Sequence, residues 1–148
     1  MKISDEIKTN FKDNSHMAIV NVMYTANWLR DLNKEILKED KLLPQHYNVL
    51  RIVNGRHPEP TCPGDIKKVM LDKGPDITRL IDKLVNMGLL DRCLNAENRR
   101  SMDITISEHG QTILKKLTIK MDKVRQKHFG LTEDESLQLS ELLDKARR

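Results

Sequence analysis

One stretch of the chain, residues 61–107, limits the possible folds more than any other part of the sequence. Two short runs of apolar residues at helical spacing begin at Pro63 and Pro75, and an Asp-Lys-Gly turn separates them. Proline is favoured at the first position of a helix, where its missing N–H group is not needed. After Gly88, a residue typical of a helix C-terminus, the sequence predicts two short strands joined by a polar loop. The stretch therefore predicts a short helix, a tight turn, a second helix and a β-hairpin.

Each element of this stretch has a predicted buried face or boundary. The first helix is expected to turn Ile66, Val69 and Met70 towards the core. The strands are expected over residues 89–93 and 102–106, because the second segment alternates apolar and polar residues as a half-buried strand does. Two helices followed by a hairpin in this order predict a winged helix-turn-helix.

Helical patterns lie on both sides of this stretch. Before it, residues 15–39 predict a long helix capped by Ser15, and Pro44 marks the start of a second helix. After it, one helix is expected behind Ser107 and a last one behind Thr132, where a glutamate three residues on completes a capping box. The predicted fold class is mainly α with a small β-hairpin wing, a winged helix-turn-helix domain with helices on both flanks.

The long first helix has apolar side chains on two opposite sides. One row runs from Ile19 to Leu37, and the second includes Tyr24 and Trp28. A surface helix of a monomer normally has one apolar stripe, so a second subunit is expected to cover the other side. We therefore predict a homodimer, with N-terminal dimerisation residues 1–41, a winged helix-turn-helix domain at 42–106 and C-terminal dimerisation helices at 107–148.

Composition narrows the class of protein without naming a partner. Aromatic residues make up 3% of the chain, so the core is expected to consist of Leu, Ile, Val and Met. The formal net charge of +4 is compatible with a polyanion partner, but the excess is spread thinly along the chain. The polar N-terminus and the lack of an apolar run of about 18 residues predict a cytoplasmic protein without a membrane span.

Catalytic and cofactor motifs are missing from the sequence. It has no Gly-x-Ser-x-Gly elbow, phosphate-binding loop or His-Glu-x-x-His motif, so we expect neither an enzyme nor a cofactor. The two cysteines, Cys62 and Cys93, form neither a Cys-x-x-Cys pair nor a disulfide framework. No histidine pair has metal-ligand spacing, and no metal site is expected.

The second helix of the helix-turn-helix is the predicted reader of double-stranded DNA, because its N-terminal residues reach base edges in the major groove. Arg79 can bond a guanine with both its nitrogens, and Asp76 can accept a hydrogen bond from cytosine. Thr78 is expected at a phosphate or a thymine methyl group. Lys83 is expected to add a further DNA contact. In the alternative interpretation, Arg79 and Lys83 pair with Asp76 and Asp82 on the same helix.

The loop between the two strands is the predicted wing tip. Asn98, Arg99 and Arg100 lie there and are expected to contact DNA. An arginine at this position can enter the minor groove, where narrow A·T tracts deepen the negative potential. The ordinary alternative is a solvated pair of loop charges.

The run PDITRLIDKLVNMGLLDRCLNAENRRSMDITISEHG resembles the signature region of the MarR family. The positions that carry the resemblance are Thr78-Arg79-Leu80, Leu84, Gly88-Leu89, Arg92, Asn98-x-Arg100 and Ile106-Ser107-x-x-Gly110. The resemblance implies a two-fold dimer that binds pseudo-palindromic operators, usually as a repressor. Two departures stand out, since Asn98 replaces the usual wing aspartate and Asp76 puts an acid near the DNA.

The resemblance also implies control of the regulator by a small, aromatic or anionic effector, in the kind of circuit that serves stress responses. Its pocket is expected between the dimer helices and the winged domain, where Tyr24, Trp28 and His46 are candidate contacts. Two other interpretations stay open. One is a winged-helix module that binds protein rather than DNA, and the other is a redox-responsive or zinc-responsive variant of the regulator.

Overall fold

The protein, described by a computed structural model over residues 2–147, has the predicted fold class of helices with one small hairpin. Met1 and Arg148, the outer ends of the first and last predicted segments, lie outside the described residues. The elements in chain order are α1 (Ile3–Glu6), α2 (Asn14–Lys38), α3 (Pro44–Arg56), α4 (Pro63–Val69), α5 (Ile77–Asn86), β1 (Leu90–Leu94), β2 (Met102–Ile106), α6 (Glu108–His128) and α7 (Glu133–Ala146). The one-turn helix α1 was not predicted.

Side-chain caps fix where the long helices begin. The predicted cap Ser15 is wrong for α2, because the carboxylate of Asp13 accepts a hydrogen bond from the His16 amide at 2.8 Å. At α6 the prediction is confirmed, since the Ser107 hydroxyl accepts from the Gly110 amide at 2.9 Å. The capping box at Thr132 is also confirmed.

The two strands form an antiparallel hairpin in which Leu90 pairs with Ile106 and Leu94 pairs with Met102. The first strand starts one residue later than predicted, and the second matches its predicted range. Thr61 adds a short bridge to Ile104, with its N–H donating to the Ile104 carbonyl at 3.0 Å and its own carbonyl accepting at 2.8 Å. This bridge holds the start of α4 against the hairpin.

One buried cluster joins the helix-turn-helix to the ends of the flanking helices. As predicted, the cluster consists of Leu, Ile, Val and Met side chains. It includes Leu37 from α2 and Leu114 and Leu117 from α6, together with residues from every element between them. The prediction that Val69 faces the core is wrong, because α4 turns this side chain towards solvent while Ile66 and Met70 are buried.

The flanking helices leave much of their apolar surface uncovered. None of the described residues of α7 is buried, and Leu137 and Leu142 are 62% and 58% exposed. On α2, Ile19 and Met23 are exposed as well. None of the helices within residues 2–147 has the length and apolar content needed to cross a bilayer.

Candidate nucleic-acid interface

Helix α5, the second helix of the helix-turn-helix and here called the recognition helix, starts two residues later than predicted. Pro75 does not open it, because the backbone of Asp76 is extended and its carboxylate caps the helix. Oδ1 of Asp76 accepts a hydrogen bond from the Thr78 amide at 2.9 Å. At the other end, Gly88 has a φ of 71° and ends the helix as predicted, because glycine adopts this left-handed conformation without strain.

The cap at Asp76 gives a direct stability prediction. Asp76→Ala removes the acceptor for the Thr78 amide and is expected to lower the free energy of unfolding by about 1 kcal/mol. Asp76→Asn keeps an acceptor and is expected to stay within a few tenths of a kcal/mol of the wild type. Urea unfolding followed by circular dichroism measures both variants. An equal loss in the two would show that the cap is not what Asp76 contributes.

The exposed face of the recognition helix presents Thr78 and Arg79 to solvent near its N-terminus. The Arg79 side chain has no hydrogen-bond or ion-pair partner within residues 2–147. The alternative in which Arg79 and Lys83 pair with Asp76 and Asp82 is not what the structure has. Lys83 instead donates from Nζ to the carbonyl oxygen of Lys41 at 2.7 Å.

An ion pair joins the recognition helix to the wing. Arg92 on β1 donates to Oδ1 of Asp82 on α5. The two side chains are 34% and 46% exposed, so the pair is half-exposed rather than buried. It links β1 of the hairpin to the recognition helix across the Gly88 turn.

The wing tip is shaped by two asparagine side chains. Oδ1 of Asn95 accepts from the Asn98 amide at 2.8 Å, and its Nδ2 donates to Asp103 at 2.9 Å. Oδ1 of Asn98 accepts from the backbone N–H of Arg100 at 3.1 Å. Asn98 thus steadies the backbone that carries Arg99 and Arg100, a role the sequence did not reveal.

Arg99 and Arg100 project from this ordered tip. Both residues are exposed, and neither guanidinium has a partner among the described residues. The structure therefore places two uncommitted guanidinium groups on the wing and a third, that of Arg79, on the helix beside it.

A cavity of about 1270 Å³ lies between α2, α3 and α6. Its walls are mostly apolar and aromatic, from residues including Trp28, Tyr47, Ile52, Val69, Met121 and Phe129. Four basic residues also line it, namely Arg51, Lys115, Arg125 and His128. One carboxylate, that of Asp122, also lines the cavity, and its Oδ1 lies 3.3 Å from Nη2 of Arg125.

The three candidate ligand contacts do not share one pocket. Trp28 lines both the large cavity and a smaller groove beside α1. Tyr24 lines only the smaller groove, where it donates a hydrogen bond to Glu6 at 3.0 Å. His46 lines neither of them. It is buried at the start of α3, where its Nδ1 accepts from the Leu43 amide at 3.0 Å. His46 therefore caps the start of α3, because its ring is buried and its Nδ1 is already bonded to the Leu43 amide.

His46 makes stability depend on pH. Burial, and to a smaller extent the positive charge of Lys83, lowers the pKa of His46 from 6.5 to about 4. His46 takes up a proton near pH 6.5 in the unfolded chain but only near pH 4 in the folded protein. The contribution of His46 to the free energy of unfolding is therefore fully present above pH 6.5 and is lost as the pH falls from 6.5 to about 4. We expect a loss of about 3 kcal/mol over that window.

The matched variant is His46→Gln, which keeps an acceptor for the Leu43 amide but does not titrate. Urea unfolding at pH 7, 5.5 and 4.5 is expected to show a smaller loss in the variant than in the wild type. Parallel losses in the two proteins would assign the pH dependence to other groups.

Neither a protein-family model nor a curated protein sequence matches the chain. Its structure, however, is similar to solved structures of transcription regulators. The MarR transcription factor from Planctomyces limnophilus is 30% identical, over 91% of this chain and 98% of that one, with a TM-score of 0.72. The chain belongs to the MarR family.

Two further structures share the MarR fold at lower identity. A mutant MarR from E. coli, complexed with operator DNA, is 24% identical over 90% of this chain and 96% of that one, with a TM-score of 0.73. The organohalide-sensing regulator RdhR, in its 2,4-dichlorophenol-bound form, is 16% identical over 91% of this chain and 80% of that one, with a TM-score of 0.79. These neighbours are transcription regulators, and this MarR-family chain is a regulator rather than an enzyme.

The two cysteines behind the redox alternative are both free thiols in this MarR-family structure. Cys62 is half-buried at the start of α4, and Cys93 is exposed on β1. Across residues 2–147, no three His, Cys, Asp or Glu side chains are grouped so as to hold a metal ion.

Proposed function

We propose that this MarR-family protein is a homodimeric repressor that binds pseudo-palindromic double-stranded DNA and is released by a small, aromatic or anionic effector. The observation that carries the proposal is that three exposed arginines have no partner within residues 2–147. Two of them lie on the ordered wing tip and the third lies on the recognition helix. Arg79, Arg99 and Arg100 supply the contacts, and Thr78 and Asn98 lie beside them.

The division of labour follows from where each side chain lies. Arg79 is in the first turn of the recognition helix, the part that reaches base edges in the major groove. Arg99 and Arg100 suit the adjacent minor groove, which attracts arginine where it is narrow. The capping carboxylate of Asp76 leaves Oδ2 as an acceptor for a cytosine amino group. The E. coli mutant MarR complexed with operator DNA, a fold neighbour, supports binding to DNA.

The uncovered apolar surface supports the dimer. Exposed leucine side chains line α7, and Ile19, Val22 and Met23 are exposed on α2. Apolar area of this kind on two helices is typical of a subunit interface. A two-fold dimer presents its recognition helices to half-sites about 34–36 Å apart, one turn of DNA.

The large cavity supports the effector. Its aromatic and aliphatic walls suit an apolar body, and its basic residues outnumber its one carboxylate, Asp122. An organic anion with an aromatic ring matches both properties. RdhR bound to 2,4-dichlorophenol, a fold neighbour, supports an aromatic effector.

DNA binding is tested by fluorescence anisotropy with a labelled duplex from upstream of the protein's own gene. A duplex of the same length with a scrambled sequence is the control. We expect at least about 100-fold tighter binding to the upstream duplex, falling steeply as salt rises because counterions are released. Sedimentation is expected to give a dimer. Equal affinity for both duplexes, or a monomer, would contradict the proposal.

Effector binding has a built-in reporter, because Trp28 is the chain's one tryptophan and lines the cavity. Benzoate is expected to change the Trp28 fluorescence in a saturable manner and to lower the affinity for the upstream duplex. Benzylamine has the same ring with the opposite charge and is expected to do neither. Equal responses to the two compounds would remove the anionic preference.

A further inference from the structure

Lys83 contacts the backbone of a residue that precedes the winged helix-turn-helix domain. Its ammonium group donates to the carbonyl oxygen of Lys41 at 2.7 Å, although the two residues are 42 positions apart. Lys83 is in the last turn of α5, six residues and about 9 Å along the axis from Ile77 at its start. Since the N-terminal part of such a helix approaches the bases, Lys83 is at the wrong end for base contact.

The acceptor belongs to a tightly held turn, residues 39–42, here called the junction turn. Lys41 has a φ of 56°, and the amide of Leu42 donates to the Leu37 carbonyl at 3.2 Å, which closes the end of α2. The Leu42 side chain is buried beside Leu37 in the core. The Lys41 carbonyl is therefore a fixed point rather than part of a mobile loop.

Helix α6 holds the same turn from another side. Lys116 contacts Asp40 at 2.6 Å, and Lys120 contacts Glu39 at 2.7 Å and the second oxygen of Asp40 at 3.5 Å. The Asp40 side chain is only 12% exposed, and the cation of Lys116 lowers the pKa of this carboxyl group below its usual range. The junction turn thus connects α2, α6 and, through Lys83, the recognition helix.

We propose that Lys83 is a positioning residue, which ties the recognition helix to the junction turn and so sets the angle at which that helix meets DNA. This inference rests on the proposed DNA binding and revises the expectation that Lys83 contacts DNA itself. One ammonium–carbonyl bond orients α5 relative to α2 and α6, which both line the cavity, and α2 is also part of the proposed subunit interface.

The test compares three variants of the full-length protein. Lys83→Met removes the donor and keeps the aliphatic stem, whereas Lys83→Arg keeps a donor. Lys67→Met removes one positive charge from α4 at a residue that has no ion-pair partner within the part of the chain that the structure describes. Thermal unfolding at one protein concentration first establishes that all three fold.

Salt-dependent anisotropy then separates positioning from phosphate binding. We expect Lys83→Met to weaken operator binding about five- to tenfold with the slope of log K against log salt unchanged, and Lys83→Arg to stay within about twofold of the wild type. If Lys83 neutralised a phosphate instead, its removal would lower that slope by about 1. A reduced slope, or unchanged affinity in Lys83→Met, overturns the proposal.

A measurement without DNA keeps this inference separate from the proposed function. Hydrogen–deuterium exchange is expected to quicken in both α5 and residues 39–42 of Lys83→Met, and in neither segment of Lys67→Met. If exchange in Lys83→Met is unchanged, the proposal that Lys83 ties α5 to residues 39–42 is contradicted, even if the variant binds DNA less tightly. Absence of any operator binding in the wild type contradicts the proposed function and leaves this structural result standing on its own.

Discussion

Replacing Arg99 and Arg100 together with alanine is expected to lower operator affinity about 30-fold or more. Each guanidinium bound to DNA contributes about 1–3 kcal/mol. Loss of one such contact from each of the two wings of the proposed dimer therefore already weakens binding by about 2 kcal/mol, or about 30-fold. The slope of log K against log salt is expected to fall by about 2 to 4, because fewer counterions are displaced. Anisotropy titrations between about 50 and 200 mM salt measure both quantities.

The matched control removes the same charge elsewhere. Lys8 and Lys12 are exposed in the N-terminal segment, where neither ammonium group has an ion-pair partner within residues 2–147. Lys8→Ala with Lys12→Ala is expected to change affinity by less than about threefold. A similar loss in both double variants would mean that net charge, rather than the wing, drives binding. Unaltered DNA binding in the wing variant would show that the wing does not contribute to binding.

Substituting Gly110 by alanine is expected to destabilise the fold more than the same substitution at any of the other five glycines. A Cβ atom there would lie 2.0 Å from the carbonyl oxygen of Leu89 and 2.8 Å from a side-chain carbon of Ile106. The closer neighbour is backbone, so α6 must move away from the hairpin. We expect a loss of about 3 kcal/mol or more in the free energy of unfolding, measured in urea at fixed protein concentration.

Gly55 provides the contrasting case within the same domain. It lies inside α3, and a Cβ atom there would meet nothing within 4 Å. Gly55→Ala is therefore expected to stabilise the protein by about 0.5–1 kcal/mol, through the higher helix propensity of alanine. Comparable destabilisation by the two substitutions would contradict the close approach of α6 to Leu89.

Local signals in the sequence were sufficient for most of the fold. Ser107, Thr132 and Gly88 mark helix ends through their own side chain or backbone freedom, so their roles follow from neighbouring residues. The start of α5 was misplaced because two capping signals compete there. Pro75 suits a first helical position, but Asp76 accepts a hydrogen bond from the helix and so lies outside it.

The candidate site was less predictable, because its geometry depends on contacts across the fold. The bond from Lys83 to Lys41 and the ion pair of Arg92 with Asp82 join separate elements, and no periodicity encodes them. The burial of His46 likewise depends on how α3 packs. Its capping role had a local signal, since a side-chain acceptor three residues into a helix commonly bonds the preceding amide.

The amide side chains of the wing have a consequence for how the protein behaves across cellular conditions. Asn98 stands where the resemblance to the family implies an aspartate, and its Oδ1 accepts a hydrogen bond from the Arg100 amide. Oδ1 of Asn95 likewise accepts from the Asn98 amide. A neutral amide neither titrates nor attracts counterions, whereas an aspartate–arginine ion pair is screened as ionic strength rises. A rise in ionic strength, as in osmotic shock, would therefore leave the bond from Asn98 to the Arg100 amide unchanged while weakening the attraction of the wing arginines to a phosphate backbone.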